Sequence, residues 1–184
     1  KAKKIIIKNG STVVDSPVSG NRISALNGQL SSYLSGSKKD KKIAGLILKF
    51  FCNKVTDVGS FGNGIVMKLI GNILNLVHNA VTAEVMVLGM KSGLSPNIIH
   101  KAISGTFSSS GVFENRGKLM INEDYSKEGM NFSIPLKDSK YITDLSRDKS
   151  VGIPIYQVAL QYYYSAIAHG LKDKDASSIL KILE

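Results

Sequence analysis

A glycine-rich segment followed by a lysine and an asparagine has the clearest chemical potential in this sequence. Gly62 and Gly64 precede Lys68, and Asn72 follows four residues later. A helix would place Lys68 and Asn72 on one face, where an ammonium and a neutral amide can bind one small oxygenated molecule. We expect the N–H groups at the start of that helix to favour an anion, and the glycines to let the backbone approach it. The alternative is a structural lysine, with glycines that only turn the chain.

A second segment, Val13–Gly20, combines an apolar stretch with hydroxyl-bearing residues, a proline and a glycine. It reads Val-Val-Asp-Ser-Pro-Val-Ser-Gly. The pattern predicts a strand that ends in a turn, and ligands of open α/β sheets usually bind at the carboxyl ends of strands. The segment therefore brings hydroxyls and backbone amides to an expected ligand-binding edge.

The hydrophobic periodicity predicts an α/β region followed by an all-helical region. In the first region we expect the end of a helix at 2–9, strands at 11–15, 29–34 and 54–58, and a helix at 38–51. In the second we expect helical segments at 65–91, 95–104, 110–121, 134–148, 154–169 and 175–183. Ser95 and Asp175 are predicted N-caps, and Gly170 a helix stop. The change of class predicts two domains, residues 1–58 and 59–184.

Composition bounds the possible partners. The chain has 184 residues, 43% of them hydrophobic, which suffices for a sizeable core. The formal net charge is +10, but the lysines are scattered and only 38–42 is dense, so we expect no nucleic-acid partner. Polar residues interrupt the long apolar segment 65–91, which predicts a buried helix and no membrane partner.

The single cysteine, Cys52, excludes an internal disulfide and fits a reducing compartment, the cytoplasm or an organelle matrix. Because it follows two phenylalanines, we expect it to be a core residue. The three histidines lie far apart in sequence, with no spacing typical of metal ligands. We therefore predict no metal site.

Three ordered motifs resemble those of the β-hydroxyacid dehydrogenases, the family of 3-hydroxyisobutyrate dehydrogenase and tartronate semialdehyde reductase. They are Asp15–Gly20, Gly59–Asn72, and Glu114–Gly117 followed by Leu136–Asp138. The resemblance begins in the middle of the family's chain, and the glycine fingerprint of its dinucleotide-binding half has no counterpart here. We therefore expect a C-terminal fragment: the α/β tail of a Rossmann sheet, then an all-α domain like the C-terminal domain of 6-phosphogluconate dehydrogenase.

The resemblance implies an NAD(P)-dependent oxidoreductase that interconverts a small β-hydroxyacid and its semialdehyde or ketone. Lys68 would be the general acid/base, and Asn72 would orient Lys68 and the reacting oxygen. Ser19 and the Gly20 amide would bind the substrate carboxylate. Lys137 would contact the cofactor, NAD or NADP; the alternative is a surface charge of its helix. The fragment alone is expected to bind the cofactor poorly and to be inactive.

Three positions depart from the family's pattern. Asn21 replaces a second glycine in the carboxylate loop, Gly71 replaces the first asparagine of a pair, and Met130 stands where many members have phenylalanine. Asn21 leaves the choice of substrate open, whereas none of the three removes the proposed acid. Lys68 itself argues against the imine reductases and the non-catalytic relatives, which lose this lysine.

The competing interpretation is a non-catalytic helical dimerisation or binding module. Apolar residues cover more than one face of segment 65–91, which exceeds the single stripe a monomer needs: Leu69, Ile70, Ile73, Leu76, Val77, Ala80, Val81, Val85 and Leu88. By resemblance this helix is the centre of a dimer. We expect a homodimer or higher homo-oligomer, to which strand edges within 11–58 could also contribute.

Overall fold

The computed structural model describes residues 2–8, 11–20, 22–126 and 130–184. Over these residues the fold is mostly helical, with one small sheet. The chain divides into two compact units, which we call unit 1 (residues 1–71) and unit 2 (residues 72–184). A long helix, α4 (Asn63–Lys91), contributes residues to both units.

Unit 1 contains a three-stranded sheet in the order β1-β2-β3. Its elements are α1 (Ala2–Lys8), β1 (Val18–Ser19), α2 (Arg22–Leu26), β2 (Leu30–Leu34), α3 (Lys38–Leu48) and β3 (Cys52–Asp57). Strand β1 is antiparallel to β2, and β2 is parallel to β3. Parallel neighbours need a crossover connection, and α3 supplies it here.

The core of unit 1 lies between the sheet and α3. Leu34, Leu48 and Cys52 are buried, and partly buried side chains pack against them, namely Val14, Val18, Leu30, Ala44 and Val55. The prediction that Cys52 is a core residue is confirmed, and its burial raises the pKa of the thiol.

The predicted strand at 11–15 is wrong. Only Asp15 pairs there, through an isolated bridge to Ser35, and the ladder with β2 resumes at Val18. Between Asp15 and Val18 the pairing is incomplete, because Pro17 accepts from the N–H of Tyr33 but has no N–H of its own to donate. Helix α2 was not predicted, whereas β2, α3 and β3 confirm the other predictions in this region.

The regular elements of unit 2 in its described residues are helices, and one isolated bridge joins Asn131 and Asp175. It contains the larger part of α4, then α5 (Pro96–Ile103), α6 (Gly111–Ile121), α7 (Ser133–Asp148), α8 (Pro154–Ala168) and a 3-10 helix (Ala176–Ile182). Each confirms a predicted helical segment to within two residues. Ser95 and Asp175 are N-caps as predicted, accepting from the N–H groups of Ile98 and Ser177. Gly170, two residues after α8, has a φ of +79°.

A buried polar network crosses the core of unit 2. Arg116 of α6 forms an ion pair with Asp175, whose side chain is fully buried. Asn79 of α4 donates to the Tyr163 hydroxyl (2.9 Å) and to the carbonyl of Ala176 (3.0 Å). These contacts tie α4, α6 and α8 to the 3-10 helix. An ion pair taken out of water needs satisfied hydrogen bonds to be tolerated, and this one has them through the cap at Asp175.

Helix α4 has two faces within unit 2. Leu76, Ala80 and Met86 are buried, whereas Val81 and Leu88 are exposed. With 29 residues, α4 also meets the length and hydropathy criteria for a membrane span, which core helices of soluble proteins can meet as well. The buried residues show that part of α4 is a core helix, as predicted.

Candidate active site

Lys68 reaches from α4 to the end of strand β1. Its Nζ donates to the carbonyl oxygen of Val18 at 2.5 Å, and the side chain is half-buried. Val18 immediately precedes Ser19 and Gly20. Unit 1 therefore brings the amine of Lys68 to the backbone next to the predicted carboxylate-binding pair.

Ser19 and Gly20 differ in exposure and in backbone conformation. Ser19 ends β1 opposite Ser31 and is half-buried. Gly20 is exposed, with a φ of +141°, and a Cβ there would lie 2.6 Å from Cδ2 of Leu30. The backbone conformation therefore favours glycine, and a Cβ would also require the Leu30 side chain to shift. Asn21, where the family's second glycine would stand, lies outside the described residues.

The N–H groups at the start of α4 are already hydrogen-bonded. Asn63 donates to a backbone carbonyl (3.0 Å), Gly64 to Oγ of Ser35 (3.1 Å) and Ile65 to Oδ2 of Asp15 (2.9 Å). Our expectation that these groups would favour an anionic ligand is wrong, because a carboxylate and a hydroxyl of the same chain take that place.

The two glycines before Lys68 have different structural roles. A Cβ on Gly64 would lie 2.6 Å from the carbonyl oxygen of Tyr33 and 2.8 Å from Oδ2 of Asp15, so its close approach is to the chain itself. Gly62 has a φ of +100° and open space around the position of a Cβ. The expectation that Gly64 admits a ligand is thus corrected, and Gly62 is a turn residue.

Tyr33 was missed by the sequence analysis. A Cβ on Gly71 would lie 3.7 Å from the Tyr33 hydroxyl, so this hydroxyl lies beside the helix one turn after Lys68. Gly71 is the position where the family has an asparagine. The alternating pattern of β2 predicted the strand, but nothing in the sequence connects Tyr33 to a residue 38 positions later.

In unit 2, Asp138 joins the other two predicted site residues. Asn72 Nδ2 donates to Oδ2 of Asp138 at 2.8 Å, and Lys137 Nζ lies 3.2 Å from Oδ1. The Asp138 side chain is 13% exposed and that of Lys137 is 67% exposed. An ionised carboxylate can only accept, so Asn72 must direct its NH₂ group to Asp138 and its carbonyl oxygen elsewhere. Asp138 is part of the Leu-Lys-Asp motif, but its contact with Asn72 was not predicted from the sequence.

The Glu-Asn-Arg-Gly motif builds structure in unit 2. Glu114 accepts from the N–H of Gly105 (2.9 Å) and the hydroxyl of Ser109 (2.5 Å). Hydrogen bonds from Ser109, Gly105 and Ser104 lower the pKa of Glu114 to about 2. The carboxylate thus fastens the 104–109 loop to the first turn of α6.

Arg116 and Gly117 of the same motif contact neighbouring elements. Arg116 holds the buried Asp175. A Cβ on Gly117 would lie 2.7 Å from Cδ2 of His100, whose ring stacks on Phe113 with centroids 5.2 Å apart. Gly117 is therefore required for the packing of α5 against α6.

No group of three His, Cys, Asp or Glu side chains in the described part of the chain could hold a metal ion. Met130, the third departure from the family's pattern, donates its N–H to Oδ2 of Asp175 at 3.1 Å. Its backbone therefore belongs to the buried network of unit 2.

Comparison with known proteins identifies the family. Residues 62–183 match a family model described as NAD-binding of NADP-dependent 3-hydroxyisobutyrate dehydrogenase. The chain belongs to the β-hydroxyacid dehydrogenase family. Residues 1–59 match a second model, the NAD-binding domain of 6-phosphogluconate dehydrogenase. Both descriptions name NAD binding, so the predicted cofactor class, NAD or NADP, is confirmed for this β-hydroxyacid dehydrogenase family member.

Individual proteins that are similar to this chain support the family assignment. L-threonate dehydrogenase of Cupriavidus necator is 29% identical over 96% of this chain and 60% of its own length. Glyoxylate/succinic semialdehyde reductase 2, a chloroplastic protein of Arabidopsis thaliana, is 29% identical over 98% of this chain and 50% of its own. The crystal structure of 3-hydroxyisobutyrate dehydrogenase from Salmonella typhimurium superposes with a TM-score of 0.88 at 26% identity, covering 98% of this chain and 65% of that one. The chain thus spans 50–60% of the length of these two curated relatives.

Proposed function

We propose that this chain is the C-terminal part of an NAD(P)-dependent dehydrogenase that interconverts a small β-hydroxyacid and its semialdehyde or ketone. Residues 1–58 would complete a Rossmann-like domain, and residues 59–184 would form a helical domain like the C-terminal domain of 6-phosphogluconate dehydrogenase. Family membership supports this proposal. The observation that carries it is the Lys68 amine, held against the carbonyl of Val18 beside Ser19 and Gly20.

Lys68 is the proposed general acid/base. In the direction of reduction its ammonium protonates the substrate carbonyl oxygen, and in the direction of oxidation its amine accepts the hydroxyl proton. An ammonium has three N–H donors, so the bond to Val18 fixes the position of Nζ while other donors can reach a substrate oxygen. The nicotinamide, when bound, supplies the hydride acceptor or donor.

The substrate carboxylate is proposed to bind the Ser19 hydroxyl and the Gly20 amide. Hydrogen bonds from such donors to a charged acceptor are stronger than those between neutral groups. The exposed position of Gly20 and its proximity in sequence to Val18 support this assignment.

Asn72 is proposed to orient the reacting oxygen and Lys68, which precedes it by one turn of α4. Because its NH₂ group is bound to Asp138, its carbonyl oxygen is available to accept a hydrogen bond. An ammonium or a substrate hydroxyl is a suitable donor to that oxygen.

Lys137 fits the proposed cofactor contact. Its side chain is 67% exposed, and its ammonium lies 3.2 Å from Oδ1 of Asp138. An exposed ammonium of this kind can bind a phosphate oxygen of a dinucleotide, which it attracts as a point charge. Lys137 alone supplies only one contact to the dinucleotide, which is too little for tight binding. We therefore expect calorimetric titration of the 184-residue chain with NAD and NADP to show no micromolar binding.

Substitution of Lys68 in the complete dehydrogenase tests the proposal. We expect Lys68→Ala to lower kcat by at least about a hundredfold, as loss of general acid–base catalysis does. Lys68→Arg should not rescue turnover, because a guanidinium does not release its proton. Lys91→Ala, at the exposed end of the same helix, is the matched control. Near-normal turnover of Lys68→Ala would show that Lys68 is structural.

A second candidate function is helical self-association, which is compatible with the first. Exposed apolar side chains on unit 2 favour it, among them Leu88 of α4 (69% exposed) and Val158 of α8. Leu88→Asp should dissociate a helix-mediated dimer, which light scattering would detect. Phe107→Asp, which changes an exposed side chain in a loop, should not. Leu76→Asp is unsuitable as a test of the dimer surface, because Leu76 is only 3% exposed and a buried charge there would unfold the unit. A stable wild-type monomer at micromolar concentration would contradict this function.

A further inference from the structure

We propose that Asp15 is a positioning residue, which fixes the first turn of α4 to the segment 15–19 and so sets the position of the Lys68 amine. The proposal rests on the proposed function of Lys68. The residues that carry it all belong to unit 1.

The carboxylate of Asp15 is the acceptor at the start of α4. Its Oδ2 accepts from the N–H of Ile65 at 2.9 Å and from the hydroxyl of Ser35 at 3.3 Å. A carboxylate at a helix N-terminus binds an otherwise unpaired N–H and interacts favourably with the helix dipole. Asp15 is 50 residues away from Ile65 in sequence, so this cap is a tertiary contact.

Ser35 holds Asp15 in place. The two residues exchange backbone hydrogen bonds, Asp15 N to Ser35 O at 2.9 Å and Ser35 N to Asp15 O at 2.7 Å. The buried Ser35 hydroxyl also accepts from the N–H of Gly64 at 3.1 Å. Two successive N–H groups of α4 are therefore bound by a pair of residues that are themselves paired.

Gly64 permits this close approach. Any Cβ at this position would lie 2.8 Å from Oδ2 of Asp15 and 2.9 Å from Cδ of Pro17. Since real Cβ atoms do not approach other atoms so closely, a side chain at Gly64 would push the helix start away from segment 15–19.

The Asp15 contact runs beside the Lys68 contact. Ile65 and Lys68 are three residues apart and share a helix face. Asp15 and Val18 are also three residues apart, with the rigid Pro17 between them. Segment 15–19 and the helix are therefore joined twice, once through Ile65 and once through the amine. Without the Asp15–Ile65 bond, only the neighbouring Ser35–Gly64 hydrogen bond and the flexible lysine side chain would hold the helix start in place.

The first test measures how fast an amine-selective reagent labels Lys68 in the complete protein at one fixed pH, with the exposed Lys91 as internal reference. We expect Asp15→Ala to speed labelling of Lys68 about tenfold, the size of one lost charge-assisted hydrogen bond. Asp15→Asn keeps an acceptor for the Ile65 N–H and should stay within about twofold of wild type. Asp40→Ala is the matched control, because Asp40 lies in the first turn of α3.

The second readout is turnover. Asp15→Ala should lower kcat about tenfold or more with little change in KM, because misplacing an acid affects the transition state. Asp15→Asn should restore most of kcat. If Asp15→Ala does not fold, Ser35→Ala replaces it and should change labelling and kcat in the same directions.

Unchanged labelling of Lys68 in Asp15→Ala, or in Ser35→Ala if that replaces it, would overturn the proposal. So would an Asp15→Asn variant as impaired as Asp15→Ala, since a hydrogen-bond acceptor would then not be what matters. Labelling also separates this proposal from the proposed function. A wild-type protein without dehydrogenase activity would refute the function, while the labelling rates would still report whether Asp15 positions Lys68.

Discussion

Motif residues of the family lie at two junctions, by which we mean contacts between elements that are distant in sequence. The motif residues have different roles at these two junctions. At the junction around Asp15 and Lys68 in unit 1, the key amine is half-buried and bound to one backbone carbonyl. At the junction around Arg116 and Asp175 in unit 2, the carboxylate is fully buried and bound by an arginine and by backbone N–H groups. A motif can therefore identify a family through residues that only hold the fold together. Burial and saturation of partners distinguish these from residues that can meet a ligand.

The largest expected effect comes from breaking the ion pair between Arg116 and Asp175 in unit 2. Arg116→Ala would leave the buried Asp175 carboxylate without its cation, which typically costs about 3–5 kcal/mol. We expect a loss of this size in the free energy of unfolding, measured by urea denaturation with circular dichroism. Arg147→Ala, an exposed arginine of α7, should cost less than about 1 kcal/mol. Equal stability of the two variants would contradict a structural role for Arg116.

Asp138 tests whether the orientation of Asn72 matters. Asp138→Asn keeps the size of the side chain but adds an NH₂ group, so Asn72 is no longer forced to present its carbonyl oxygen. We expect kcat of the complete enzyme to fall about tenfold, the size of one hydrogen bond to a charged group. Asp148→Asn, at the exposed end of the same helix, is the control. Unchanged kcat in Asp138→Asn would remove the positioning role of Asp138.

Glu114 should make the 104–109 loop sensitive to acid. Its folded pKa, about 2, lies below the usual value of 4.5, so its stabilising effect is present above pH 4.5. That effect should be lost as the pH falls from 4.5 towards 2. Glu114→Gln should be less stable than wild type at pH 7, and the difference should shrink in that acid range. Glu84→Gln controls for the loss of a charge, and a pH-independent difference for Glu114→Gln would contradict the assignment.

Lys137 should show the smallest effect. Exposed charge contacts are worth about 0.2–1 kcal/mol, so Lys137→Ala should raise the KM for the dinucleotide by no more than about fivefold and leave kcat unchanged. Lys140→Ala, one turn further along α7, is the control. If Lys137→Ala lowered kcat and left KM unchanged, Lys137 would belong to the chemical step.

The sequence predicted the local elements well, because periodicity and caps are local signals. Ser95 and Asp175 each cap the helix that follows them in sequence, as predicted. The contacts that organise the candidate site are not local. Asp15 and Ile65 are 50 residues apart, and Asn72 and Asp138 are 66 residues apart. No periodicity encodes such pairs, so the sequence predicted the helix of Lys68 but not the carboxylate at its start.

Chemical rescue tests the central claim, that Lys68 transfers the proton, most directly. In the complete enzyme carrying Lys68→Ala, small primary amines diffuse into the space of the missing side chain and can supply the missing acid or base. Our account predicts that turnover rises in proportion to the concentration of methylamine or ethylamine, while a quaternary ammonium ion, which has no N–H, has no effect. A folded Lys68→Ala enzyme whose turnover did not respond to any primary amine would contradict the account.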